Sequence, residues 1–147
     1  MDFFHNSNSK KTLYKRKKFI ENISSRIDLV YRPYYEKRYT HQIKEDVKII
    51  KKKFKTSKDF KYLFNSNLIV FEYFSTMIFE IINLNIPFII ISDIKDYKFS
   101  NFGLKLINNL QKENILFSDP VKASNFINKN FNNINDWWYK KKFLLIK

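Results

Sequence analysis

The sequence predicts an α/β fold built on a parallel sheet with helices on both faces, and three observations carry that prediction. Leu68–Phe71 and Phe88–Ile91 are continuous apolar runs, as strands covered on both sides require, without the alternation of a half-exposed strand. Between them Ile78, Phe79, Ile81, Ile82 and Leu84 recur with helical spacing. The strand, helix and strand together have about the length that a right-handed parallel crossover needs.

The other elements follow in chain order. Asn8–Ile23 carries Leu13, Phe19, Ile20 and Ile23 among lysines and reads as a short surface helix. Residues 1–25 are therefore expected to form a basic N-terminal extension or helix ahead of one domain over 26–147. Arg26–Arg32 is β-rich and stopped by Pro33, which puts Arg32 at a strand terminus. Val47, Ile49 and Ile50 fit a helix flank or a lysine-edged strand, and a strand over 47–51 is preferred. Asp59–Phe64 reads as a short helix with Ser57 available as its cap, followed by an Asn65-Ser66-Asn67 turn.

Ser75 or Thr76 then caps the central helix, and Pro87 closes the connection to Phe88–Ile91. A helix over Ser100–Glu113 is expected to place Leu104, Ile107 and Leu110 on one face, and Ile115–Phe117 to form a short strand. Asp119 followed by Pro120 starts a helix that runs to about Asn130, since Asp caps and Pro fits the first turn. Asn130–Asn135 reads as a turn, after which Asp136 caps a last helix with Trp137, Trp138, Phe143 and Leu144. Strands alternating with helices in this way describe a Rossmann-like, doubly wound sheet. There is no internal repeat and no linker that would divide the chain.

With 147 residues, 44% of them hydrophobic, the chain can bury one ordinary core. It has no cysteine, which excludes disulfides and thiolate metal sites, and only His5 and His41 offer imidazole, so no metal is expected. The longest apolar run, Ile86–Ile91, is far below the roughly 20 residues a membrane span needs. Met1–Lys18 lacks the apolar segment of a secretory signal, and a cytoplasmic protein is expected. The net charge of +14 suits polyanionic partners. Only Arg16, Arg26, Arg32 and Arg38 are arginine, which leaves 24 of the 28 basic residues as lysine. Together with abundant Ile, Asn, Phe and Tyr, this is what an A/T-rich coding sequence gives, and most of the charge is read as background.

Ligands of such sheets bind beyond the carboxyl ends of the strands, which directs attention to the loops Glu72–Thr76 and Ser92–Tyr97. Ser75 and Thr76 stand at a helix N-terminus, where unpaired N–H groups and the helix dipole favour an anion such as a diphosphate; the plainer alternative is that they only cap the helix. The single glycine, Gly103, rules out a glycine-rich phosphate cradle. Glu80 can accept hydrogen bonds from ribose hydroxyls or be an ordinary exposed helix residue. Asp93 and Asp96 can contact a ligand, although turn formation is their more common role.

These residues carry a resemblance. Leu68–Phe71, Glu72-Tyr73, Ser75-Thr76, Glu80, Asn85-Ile86-Pro87 and Phe88–Ile91 resemble, in that order, the C-terminal domain of GT-B-fold transferases that build bacterial surface carbohydrates, among them the CDP-glycerol glycerophosphotransferases. More similar still is an uncharacterised bacterial transferase family, whose continuations look like Asn114–Phe117, Ser118-Asp119-Pro120 with Ala123, and Asp136-Trp137-Trp138. The likeness covers about residues 26–145. It implies a single GT-B-type half that binds a nucleotide-sugar or CDP-alditol donor as substrate, with no separate cofactor.

By that resemblance Ser75 and Thr76 lie near the donor's phosphates and Glu80 near its ribose or phosphates. Glu72 stands where the glycerophosphotransferases usually have Asp, and Glu72 with Glu80 matches the Glu-x7-Glu spacing of some retaining glycosyltransferases. Arg32 is placed to pair with a diphosphate bidentately, unless its stem packs on Tyr31 or Tyr34. The acceptor half of such an enzyme is expected on a partner chain or to be missing, with little turnover alone. Trp137 and Trp138 are expected to anchor the last helix, the less favoured alternative being a stacking platform for bases. Peripheral contact with anionic lipid through Lys10–Lys18 and Lys140–Lys142 is compatible with this reading. The rival is a basic nucleic-acid-binding module, for which no recognition motif appears.

Overall fold

The computed structural model describes residues 8–31, 54–56 and 61–145. Arg32, His5, His41, Ser57 and the strand expected over 47–51 lie outside them. Helix α1 (Asn8–Asn22) leads to strand β1 (Leu29–Tyr31), which pairs in parallel with β2 (Phe54–Thr56). Then follow α2 (Lys61–Phe64), β3 (Ile69–Phe71), α3 (Met77–Asn83), β4 (Phe88–Ile91), α4 (Asn101–Lys112), β5 (Leu116–Phe117), α5 (Pro120–Asn130) and α6 (Ile134–Leu145). Strands β3, β4 and β5 form a parallel three-stranded sheet in that order, with Phe71 in register with Ile90 and Ile91 with Phe117.

The four residues of β4 are all buried because the sheet is covered on both sides. Phe88 and Ile90 join Ile69, Phe71, Ile78, Ile81, Ile107, Leu110 and Trp138 in one cluster. Ile89 and Ile91 join Phe19, Ala123 and Ile127 in the other. Two successive crossovers that advance in one direction with one hand put their helices on the same face. That is where α3 and α4 lie, while α5 returns on the opposite face with α1.

With one glycine in the chain, the left-handed residues that end helices must be supplied otherwise, and asparagine does so. Asn85 and Asn114 follow α3 and α4 with φ of 57° and 59°. The N–H of each asparagine and that of the residue after it close the helix in a Schellman arrangement: Asn85 to Ile82 and Ile86 to Ile81, then Asn114 to Gln111 and Ile115 to Leu110. These turns deliver the chain directly to β4 and β5.

Several expectations are refined. Asp119 accepts hydrogen bonds from the N–H groups of Val121 and Lys122 at the head of α5, as Asp119-Pro120 foretells. The expected turn over Asn130–Asn135 is instead a tight helical turn, Phe131–Asn133, running straight into α6, so Asp136 lies in the first turn of α6 and not at its cap. Ile134 is the reason: at 2% exposure it is drawn into the core despite the asparagines around it. In α4 the buried stripe holds Ile107 and Leu110, but Leu104 is 44% exposed. Gly103 takes the inward position, where a Cβ would come 3.2 Å from the Cβ of Phe99. Phe79 likewise lies exposed on α3, which buries Ile78 and Ile81.

Trp137 and Trp138 anchor α6. Trp138 is buried, packs 5.0 Å centre to centre from Phe88, and donates its indole N–H to Asn85 at 3.3 Å. Trp137 touches both core clusters and stacks edge-on with Phe126. No helix among the described residues is long and apolar enough to cross a membrane.

Candidate functional site

The parallel register brings the ends of β3 and β4 side by side, so the loops that start at Glu72 and Ser92 share one rim of the sheet. Three aromatic rings brace them together. Phe74 of the first loop meets Tyr97 edge-on at 5.2 Å and Phe99 at 5.8 Å, and the Tyr97 hydroxyl lies 3.2 Å from the Oγ of the buried Ser92. These rings extend the apolar core up to the rim and fix the separation of the two loops.

Helix α1 adds a second tie, made of charge. Its far end is docked apolarly, with Phe19 in the core beside Ile89 and Ile91. The amide of Asn128 on α5 accepts from the Ser24 N–H and donates to the Asn22 carbonyl, both at 2.8 Å, closing the end of α1. Its other half reaches the rim. The Arg16 guanidinium donates from Nε and from a terminal nitrogen to the two oxygens of Glu72, at 2.6 and 2.5 Å, and lies 4.8 Å from the centre of the Tyr31 ring. Lys11, about 7.5 Å further along the helix axis, contacts Asp93 at 3.1 Å and Asp96 at 3.1 and 3.2 Å. One helix thus grips both loops.

That contact has electrostatic consequences. The hydrogen bond from Lys11 holds the Asp93 carboxyl below the usual carboxylate range, with Lys15 adding to the effect. The hydrogen bonds to Asp93 and Asp96 hold the Lys11 ammonium above its ordinary value. Asp93 also accepts the Lys95 N–H at 3.3 Å and so caps the single turn Ile94–Asp96, the turn-forming role the sequence suggests.

The residues singled out from sequence fall in different settings. Glu72, Ser75 and Thr76 lie on the loop after β3 and Asp93 on the loop after β4, while Glu80 is exposed in the first turn of α3. The Ser75 hydroxyl accepts the Met77 N–H at 3.2 Å, while Thr76 is exposed and makes no side-chain cap. The N–H groups of Ile78 and Phe79 bond back to the carbonyls of Ser75 and Thr76. The first N–H groups of this seven-residue helix are therefore taken up locally, which removes much of what makes a helix N-terminus attractive to anions. Among the described residues no group of three or more His, Cys, Asp or Glu side chains could hold a metal.

Sequence reasoning missed Arg16, Lys11 and the Phe74–Tyr97–Phe99 brace. A signal for Arg16 was present: it lies three and four residues before Phe19 and Ile20, on the stripe that faces the core. A cation continuing an apolar stripe needs a buried or half-buried partner.

A three-stranded parallel sheet covered by helices on both faces, with a charged rim at its carboxyl ends, defines an α/β protein. The model of the LIC12162 family transferase matches residues 4–143, and the chain belongs to that family. The match takes in α1, ahead of residue 26 where the resemblance read from the sequence begins. No curated protein and no solved structure matches the chain.

Proposed function

We propose that this chain is the donor-binding half of a GT-B-type transferase that takes a glycosyl or glycerophosphate group from a nucleotide-activated donor during surface carbohydrate synthesis. The donor lies across the rim formed by Glu72–Thr76 and Ser92–Tyr97, and the acceptor approaches from a second domain. One observation carries the reading: in a member of a transferase family, the two loops that follow adjacent parallel strands are locked together by rings and ion pairs at the end where such sheets bind ligands. A ring-braced, charge-lined rim suits a phosphorylated ligand whose pose must be fixed before transfer. Thr76, exposed beside Ser75, has a hydroxyl able to contact the donor. The sequence order that resembles the CDP-glycerol glycerophosphotransferases supports the same donor class.

A nucleic-acid-binding role draws less support, because the sequence carries no nucleic-acid recognition motif. Calorimetric titration of the purified chain with CDP, UDP, GDP and CMP tests the proposal. Saturable binding of one nucleotide, weakened about tenfold or more in Ser75→Ala/Thr76→Ala, is expected. Absence of binding to all four by a folded protein would remove the donor-site reading.

A further inference from the structure

Helix α1 brings two cations to the rim, and each holds an anion there. The Arg16 fork receives both oxygens of Glu72. Its side chain is only 11% exposed and lies against Tyr31 at the end of β1, whereas Glu72 is 30% exposed. A carboxylate edge and a phosphate edge present the same pair of oxygens to a guanidinium. Glu72 therefore marks a position where a bidentate oxyanion is held, and it is the partner better able to turn away into water.

The other ways of holding a phosphate at this rim are restricted. The chain has one glycine, which lies in α4. The leading N–H groups of α3 are bonded to Ser75 Oγ and to the carbonyls of Ser75 and Thr76. Among the described residues, side-chain cations are the strongest means that remain beside the Ser75 and Thr76 hydroxyls, and a fork stands at position 16 in a chain whose basic residues are overwhelmingly lysine.

We propose that Arg16, together with Lys11 of the same helix, binds the phosphates of the donor, and that Glu72 and the Asp93–Asp96 pair occupy these cations until the phosphates displace them. This rests on the donor-site reading and names the residues that hold the donor at that site. It also assigns α1 a part in binding. Glu72 becomes an internal competitor for the donor and not one of its ligands.

The two sides of the ion pair then respond with opposite sign. Pyrophosphate and the nucleoside diphosphate bound by wild type are titrated calorimetrically into the full chain and its Arg16→Gln, Arg16→Lys, Glu72→Gln and Lys11→Met variants, with circular dichroism confirming the fold of each. Arg16→Gln is expected to weaken both ligands about tenfold or more, and Glu72→Gln to tighten them about threefold. A pair that only ties α1 to the sheet predicts equal weakening by both substitutions, and that result overturns the assignment, as does wild-type affinity in Arg16→Gln. In either case nucleotide binding by wild type would leave the donor-site reading standing, whereas a wild type that binds no nucleotide removes both. If Arg16→Gln does not fold, Arg16→Lys keeps the charge without the fork, and the sign of the Glu72→Gln effect decides.

Discussion

Along β4 the protein is held by apolar contact on both sides, with Phe88 and Ile90 against α3, α4 and α6, and Ile89 and Ile91 against α1 and α5. Past the end of the same strand, the chain is held by charge, with Asp93 and Asp96 on Lys11 and, one strand over, Glu72 on Arg16. Burial is non-directional and is not screened by salt or tied to protonation. Ion pairs in partly exposed settings are directional, screened and tied to protonation. Stability therefore lies chiefly in the sheet's interior, and the rim's ion pairs add a smaller part that depends on salt and pH. On the proposed donor-site reading, such pairs can give way to a ligand at little cost to the fold.

The largest expected effect comes from the interior. Trp138→Ala removes the biggest fully buried side chain among the described residues, opens a void against Phe88, and deletes the donor to Asn85. It should cost about 3–5 kcal/mol, a large share of the roughly 5–15 kcal/mol that holds a domain of this size. Trp138→Phe keeps most of the packing and should lose about 1 kcal/mol from the hydrogen bond. Urea denaturation of the three proteins measures both, and a Trp138→Ala cost under about 1 kcal/mol would show that α6 is not part of the cooperative core.

A middle-sized effect belongs to the helix ends. Asn114 adopts φ of 59°, which an alanine reaches at a cost of about 1–2 kcal/mol; Asn114→Ala should therefore lower the melting temperature, and Asn114→Gly should leave it unchanged or raise it. Equal melting temperatures for the two variants would mean that the turn relaxes out of the left-handed region.

What the sequence disclosed follows the same division. β3, β4, α5 and the anchoring by Trp138 are legible because burial on both sides leaves unbroken apolar runs, and because Asp119-Pro120 is a strong local signal. The Phe131–Ile134 connection was misread because asparagine favours turns locally, while Ile134 is recruited to the core by contacts distant in sequence. The rim was half legible. Parallel topology points to the loops holding Glu72 and Asp93, yet the cations that meet these two carboxylates come from α1, with Arg16 standing 56 positions before Glu72 in the chain. Pairings between separate elements leave no spacing to read, and a lysine-rich background hides the two basic residues that matter.

The smallest expected effect tests the rim itself. Asp93 is depressed, so its pairing with Lys11 contributes fully above the unfolded carboxylate value of about 3.9 and is lost as pH falls through the lower folded value. Lys11 is raised, so its contribution is full below the unfolded value of about 10.4 and is lost as pH rises through the higher folded one. Between roughly pH 5 and 9 both groups are charged in the folded and unfolded chain, and the difference in stability between wild type and Lys11→Met should be flat. Because Lys11 is 42% exposed, screening keeps that difference within about 1 kcal/mol. Thermal melts across pH should show the difference shrinking at both extremes, and salt near 0.5 M should shrink it at neutral pH. The Trp138→Ala deficit should ignore that salt. A Lys11→Met deficit that persists unchanged in high salt would mean that the direct hydrogen bonds from the Lys11 ammonium, and not its screened charge, tie α1 to the loop after β4.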